Sequence, residues 1–169
     1  MKILIAEDDP LTLKPYKVAL EARGHSVELT DNGEDCTKVY NSKSKQTEKR
    51  DGELPFDAVI LDYRMPKKDG MEVAKEILAI NPNQRIIFAS AYVKDTLVDS
   101  VKELRRAVEL MQKPFKLEAL IDTLEDKEIY DELKKLEVDA DAFKAVNPSH
   151  DQISKLLESI REIQKFRTF

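Results

Sequence analysis

Phe56-Asp57-Ala58-Val59-Ile60-Leu61-Asp62-Tyr63-Arg64-Met65-Pro66 is the stretch on which the fold turns. Ala58 to Leu61 are continuously apolar and do not alternate with polar residues, as in a strand covered on both faces. The run ends on a carboxylate, Asp62. A short segment containing Pro66 follows, and helical periodicity begins at Gly70 and lasts to Ile80. The order is therefore strand, acid, loop, helix.

The same grammar extends in both directions. Apolar runs lie at Lys2–Ala6, Ser26–Leu29, Phe56–Leu61, Arg85–Ala89 and Val108–Met111. Helical periodicity fills Leu11–Arg23, Gly33–Tyr40, Gly70–Ile80, Lys94–Arg106 and Leu117–Leu124. Strands alternating with helices predict βαβ units, a parallel sheet and an α/β class. Gly24 is a helix stop, Asp31-Asn32-Gly33 a turn, and Asn81-Pro82-Asn83 a helix end. Pro15 is compatible with the first helix if that helix starts near Leu11 or Thr12, which puts the proline in the first turn. Asn41–Pro55 reads as a long polar surface loop. Its basic cluster, Lys43, Lys45, Lys49 and Arg50, is either solvated or a contact for a partner.

Residues 122–169 differ in kind. They hold twelve acidic and eight basic residues and no strand-like run. Ile129, Leu133 and Leu136 share one helical face. Ile153, Leu156, Leu157, Ile160, Ile163 and Phe166 share another, in a helix opened by Ser149 with Gln152 three positions on. The chain thus divides into an α/β domain over 1–121 and an all-helical extension over 122–169, suited to dimerisation or partner binding.

Composition narrows the function. The chain is 169 residues long, 41% hydrophobic and 36% charged, with a net charge of -5. That balance disfavours non-specific contact with nucleic-acid phosphates, so no direct DNA binding is expected. The single cysteine, Cys36, allows no internal disulfide and reads as a small apolar filler. No apolar run approaches the roughly 20 residues that span a bilayer, and no charged-then-apolar leader is visible. A cytoplasmic protein without membrane insertion is expected. No Gly-rich phosphate loop occurs, which sets nucleotide binding aside.

Chemistry gathers at the strand ends. Glu7 and Asp8 follow the first strand, Asp62 the third, Ser90 the fourth and Lys113 the fifth. In parallel α/β sheets ligands bind beyond the carboxyl ends of the strands, so these groups aim at one region. Crowded carboxylates repel unless a cation compensates, and a hard divalent ion such as Mg²⁺ suits oxygen ligands and phosphate. With that charge neutralised, Asp62 is a carboxylate nucleophile toward phosphorus. Lys113 and Ser90 supply charge and a hydrogen bond to the phosphoryl oxygens. Asp9, by contrast, reads as a charge at a helix N-terminus.

These residues resemble a known family. Lys2-Ile3-Leu4-Ile5-Ala6-Glu7-Asp8-Asp9-Pro10, then Phe56 to Pro66, Asp69-Gly70-Met71-Glu72, Ser90-Ala91 and Lys113-Pro114-Phe115 look like the receiver domain of two-component response regulators. The resemblance implies a flavodoxin-like (βα)5 fold with a doubly wound parallel sheet of order 2-1-3-4-5. It implies Asp62 as phosphoacceptor, Ser90 and Lys113 as catalytic partners, and Mg²⁺ held by Glu7, Asp8, Asp62 and the backbone carbonyl of Arg64. A cis Lys113–Pro114 bond is expected. The phosphoryl source would be a sensor histidine kinase or phosphotransfer protein, and the output a downstream protein partner or a homodimer. The chain would catalyse its own phosphotransfer and slow dephosphorylation without turning over outside substrates. The alternative is a scaffold of the same fold that is never phosphorylated and acts by protein–protein contact. Two positions depart from the family pattern. Leu110 stands where an aromatic ring usually switches, so switching must run through Ser90 and the loop after it, with Tyr92 as a possible substitute. Arg64 and Tyr92, both large, either shield an acyl phosphate from water or lie outward.

Overall fold

A computed structural model describes residues 1–47, 53–91, 104 and 108–126. By contacts the chain separates into two units, Met1–Leu117 and Glu118–Phe169. The expected helix Lys94–Arg106, Tyr92, Lys49, Arg50 and the C-terminal helices lie outside the described residues, apart from Leu104.

The elements run β1 (Lys2–Ala6), α1 (Pro10–Ala22), β2 (Ser26–Thr30), α2 (Gly33–Thr47), β3 (Ala58–Leu61), α3 (Gly70–Ile80), β4 (Ile86–Ser90), β5 (Glu109–Gln112) and α4 (Leu117–Glu125). The sheet order is β2-β1-β3-β4-β5, and every pairing is parallel. This is the 2-1-3-4-5 order the resemblance implies. Register places Ala6 beside Leu61 and Leu61 beside Phe88, so β1 and β3 finish level and β4 runs two residues further, to Ser90. Chain turning off those ends delivers its side chains to one edge.

Continuous apolar sequence becomes continuous burial. Every residue of β3 and of β4 is buried, as are Ile3 to Ala6 of β1. On one face Leu4, Val59, Leu61 and Phe88 form a core cluster with Cys36 and Tyr40 of α2 and with Val73, Ala74 and Ile77 of α3. Cys36 is fully buried there, the filler its sequence position suggests, and burial pushes its thiol up to about 12.

Two sequence expectations need correction. The first helix starts at Pro10, because Asp9 caps it. The Asp9 carboxylate accepts the Leu11 N–H at 3.0 Å and the Thr12 hydroxyl at 2.7 Å. Pro15 is therefore inside the helix rather than in its first turn, on an exposed position. The second correction is larger: Asn41 to Thr47 continue α2 and are not loop. Apolar periodicity stops at Tyr40, but hydrogen bonds carry the buried face one turn further. Asn81 donates to the Tyr40 hydroxyl at 2.9 Å and to the Ser44 hydroxyl at 3.2 Å. Tyr40 in turn donates to Gln84 at 2.8 Å. Lys43, read as part of a basic cluster, is paired with Glu28 at 2.5 Å.

Candidate functional site

Glu7, Asp62 and Lys113 each stand just beyond a strand, Ser90 ends one, and the backbone of the first three is fixed by the next strand over. The Glu7 N–H donates to the Thr30 carbonyl at 3.1 Å, the Asp62 N–H to Ala6 at 2.9 Å and the Lys113 N–H to Ser90 at 2.9 Å. Sheet hydrogen bonding thus reaches one residue past the strands and holds Glu7, Asp62 and Lys113 in register. The Lys113–Pro114 bond is cis, as expected.

The side chains converge. Glu7 is buried, with 3% exposure, Asp62 is half-buried and Asp8 is exposed. One oxygen from each of these three lies within 4.8 Å of the others. The Lys113 ammonium is ion-paired with Glu7 and stands 3.7 Å from Asp62 Oδ1. Burial raises the Glu7 carboxyl above its ordinary range, and the hydrogen bond and charge of Lys113 oppose the rise. Asp62 is raised for the same reason. Lys113, the Tyr63 N–H at 2.8 Å and the Ser90 hydroxyl pull it back. Ser90 itself is fully buried. The sequence expectation that Glu7, Asp8, Asp62, Ser90 and Lys113 meet at one edge holds in the structure. Asp9 does not join them; it caps α1. Arg64 lies two residues past Asp62 with an exposed side chain.

The segment from Asp62 to α3 is tightly folded. The Gly70 N–H donates to the Tyr63 carbonyl at 2.9 Å. A Cβ on Gly70 would lie 2.2 Å from the Asp62 carbonyl oxygen, so the chain closes there only over a bare Cα. Lys67 adopts a left-handed φ of 68°. Asp69 and Glu72 form a capping box that starts α3. The Asp-x-x-Glu spacing was visible in the sequence and announces that helix start. The close approach of Gly70 to Asp62 carried no sequence signal beyond the glycine itself.

Residue types and spacing decide what can be held here. Three carboxylates and no His or Cys form a hard, anionic, oxygen-only set. That fits a divalent ion of the Mg²⁺ class and does not fit zinc. Glu7, Asp8 and Asp62 are the side chains that would hold it.

Comparison with known proteins agrees. Residues 3–125 match the family model described as the response regulator receiver domain. The response regulator receiver protein CpdR of Brucella abortus is 30% identical over 124 residues, covering 73% of this chain and 93% of CpdR. The transcriptional regulatory protein RprY of Bacteroides fragilis is 34% identical over 124 residues, covering 71% of this chain but only 46% of RprY. The chain therefore spans less than half of that longer regulator. Since RprY is a transcriptional regulatory protein, the likeness lends no support to the expectation that this chain avoids DNA. Among solved structures, a chain of the CheX–CheY–BeF3–Mg²⁺ complex from Borrelia burgdorferi superposes with a TM-score of 0.59 at 25% identity, over 72% of this chain and 84% of that one. The sheet order, the acids at its edge and a family match over most of the sequence converge on one assignment: this chain belongs to the response regulator receiver domains of two-component systems.

Proposed function

We propose that Asp62 accepts a phosphoryl group from the phosphohistidine of a sensor histidine kinase or phosphotransfer protein, with Mg²⁺ bound. The chain is then a phosphorylation-controlled switch of the cytoplasm. The carrying observation is the meeting of Glu7, Asp8, Asp62 and Lys113 within one cluster beside Ser90.

An Asp62 carboxylate oxygen attacks phosphorus, the phosphorus–nitrogen bond to the donor imidazole breaks, and that nitrogen takes a proton. An aspartyl phosphate and a neutral histidine result. Mg²⁺, when bound by Glu7, Asp8, Asp62 and the Arg64 carbonyl, neutralises carboxylate repulsion and charge on the phosphoryl oxygens. Lys113 is 3.7 Å from Asp62 and can turn from Glu7 to a phosphoryl oxygen. Ser90 donates a hydrogen bond to Asp62. Hydrolysis of the mixed anhydride resets the switch, and no outside substrate is turned over.

Docking and readout follow from the surface. Leu11 and Val18, 83% and 60% exposed, lie seven residues apart on one face of α1, the helix that begins directly after the acids. Exposed apolar side chains beside the site suit a protein donor. Leu110 sits on β5 against the core cluster, so no aromatic ring is available there to swing. The signal therefore leaves through Ser90 and the chain after it, toward a protein partner or a second copy. Phosphorylation turns the single charge of the Asp62 carboxylate into the roughly -2 of an acyl phosphate and adds acceptor oxygens, enough to bias two packings.

Incubation with acetyl phosphate and Mg²⁺, followed by intact-protein mass spectrometry, tests the reading. One phosphoryl group should be gained by the wild type and none by Asp62→Asn. No gain by the wild type overturns it.

A further inference from the structure

Lys113 has a demanding task for a long, flexible side chain. Its ammonium must serve Glu7 and Asp62 from one position, and four rotatable carbons give it much freedom to wander. Its aim depends on how firmly its own backbone is held. On the N-terminal side the answer is clear: β5 ends at Gln112, and the Lys113 N–H is still tied to the Ser90 carbonyl at 2.9 Å. Beyond Lys113 the chain has left the sheet. The next fixed point is Phe115, whose ring stacks on Tyr16 with centroids 5.8 Å apart and planes 19° from parallel. Tyr16 belongs to α1 and is 7% exposed despite its hydroxyl.

Two bridges therefore join the same two stretches of chain. The ion pair links Glu7 to Lys113, and the ring stack links Tyr16 to Phe115. If Lys113 exchanges Glu7 for a phosphoryl oxygen, the ion pair is spent and the ring stack still ties residues 113–115 to α1. We propose that Tyr16 is a positioning residue for Lys113: its ring, through Phe115, fixes the backbone from which the ammonium is aimed. This rests on the phosphoacceptor reading of Asp62, and it adds a residue outside the acid cluster. The hydroxyl is dispensable to it and the ring is not.

Two measurements test it on the full chain. The first is the rate of phosphorylation by acetyl phosphate and Mg²⁺, corrected for folded fraction by thermal unfolding. Tyr16→Leu and Phe115→Leu should each slow it about tenfold or more, because misplacement of about 1 Å can cost 10²-fold. Tyr16→Phe should stay within about twofold of wild type. In a Lys113→Ala background Tyr16→Leu should cause no further loss, since the two act through one group. The second needs no phosphorylation: the ¹H–¹⁵N NMR signal of the Lys113 Nζ, assigned with Lys113→Arg. It should survive Tyr16→Phe and vanish by exchange in Tyr16→Leu and Phe115→Leu. A wild type that takes no phosphoryl group would sink the phosphoacceptor reading and leave the NMR result to decide this one. Losses that add to Lys113→Ala, or an Nζ signal untouched by both leucine variants, overturn the proposal.

Discussion

Gly70→Ala puts a single methyl group where the fold has no room. The added Cβ would lie 2.2 Å from the Asp62 carbonyl oxygen and 3.1 Å from both the Asp62 carbonyl carbon and the Tyr63 Cα. Ordinary contact requires the first distance to open by about 1 Å. Backbone on both sides resists: the Gly70 N–H is bonded to Tyr63 and the Asp62 N–H to Ala6. Two effects oppose each other. Alanine is the better helix former by up to about 1 kcal/mol, although less at a helix's first residue. Overpacking costs about 1–3 kcal/mol where the surroundings are closely built. The clash should win, with net destabilisation of about 1–2 kcal/mol measured by urea unfolding. The functional loss should be larger than the stability loss, because the displaced atom belongs to Asp62. A shift near 1 Å in the nucleophile should slow phosphorylation by acetyl phosphate by about 10²-fold in protein that is still folded. A Gly70→Ala variant as stable as wild type and phosphorylated at its rate would refute the crowding argument.

Three further outcomes are expected. Arg85, just before β4, and Glu109, the first residue of β5, form a bidentate pair at 2.7 and 2.8 Å, with side-chain exposures of 5% and 18%. Glu109→Leu alone removes two charge-assisted hydrogen bonds from a buried guanidinium and should cost about 2–3 kcal/mol, the low end for buried pairs because of the residual exposure; urea midpoints should recover when Arg85→Met is added. Burial lifts the Cys36 thiol from 9.0 to about 12 and the Tyr40 phenol from 10.0 to about 12. A raised folded pKa gives stability that is complete below the ordinary value and lost as pH rises toward the folded one, so stability should fall between pH 9 and 12. That fall should be smaller in Cys36→Ala and Tyr40→Phe, and an unchanged slope in both would contradict the assignment. Finally, Leu11→Glu should slow transfer from a phosphohistidine protein at least about tenfold and leave the acetyl phosphate rate alone, since it alters docking on α1 and not the acids.

How much of this was legible in the sequence depends on the kind of interaction. β1 and β3 were readable because unbroken apolar runs have few other fates. The site followed, since Glu7, Asp62, Ser90 and Lys113 each stand at or beside the end of such a run. The extent of α2 was not readable. Its last turns have no apolar stripe, and they are held by Ser44, Asn81 and Lys43 through partners far away in sequence. Local periodicity cannot report a hydrogen bond 37 residues distant. Pro15 misled for a related reason: the helix start was set by the Asp9 side chain, one residue earlier than the apolar pattern began. The stack of Tyr16 on Phe115 was likewise invisible, because nothing in either segment announces its partner.

If Asp62 is phosphorylated as proposed, the electrostatics of the site supply the bias between two arrangements. Three carboxylates face one ammonium, and burial already pushes two of them toward protonation. Lys113 cannot satisfy Glu7 and Asp62 equally; it sits on Glu7 and stands 3.7 Å off Asp62. The residual imbalance lies at Asp62, to which the Ser90 hydroxyl also donates a hydrogen bond. An added charge at that carboxylate changes which of two nearby partners the ammonium prefers, and it draws on Ser90 as well. Because Ser90 ends β4 and its carbonyl holds the Lys113 N–H, both responses begin on strands that are locked in register. On the proposed reading, an edge held in register and a long-stemmed cation would turn a local change of charge into a choice between two arrangements.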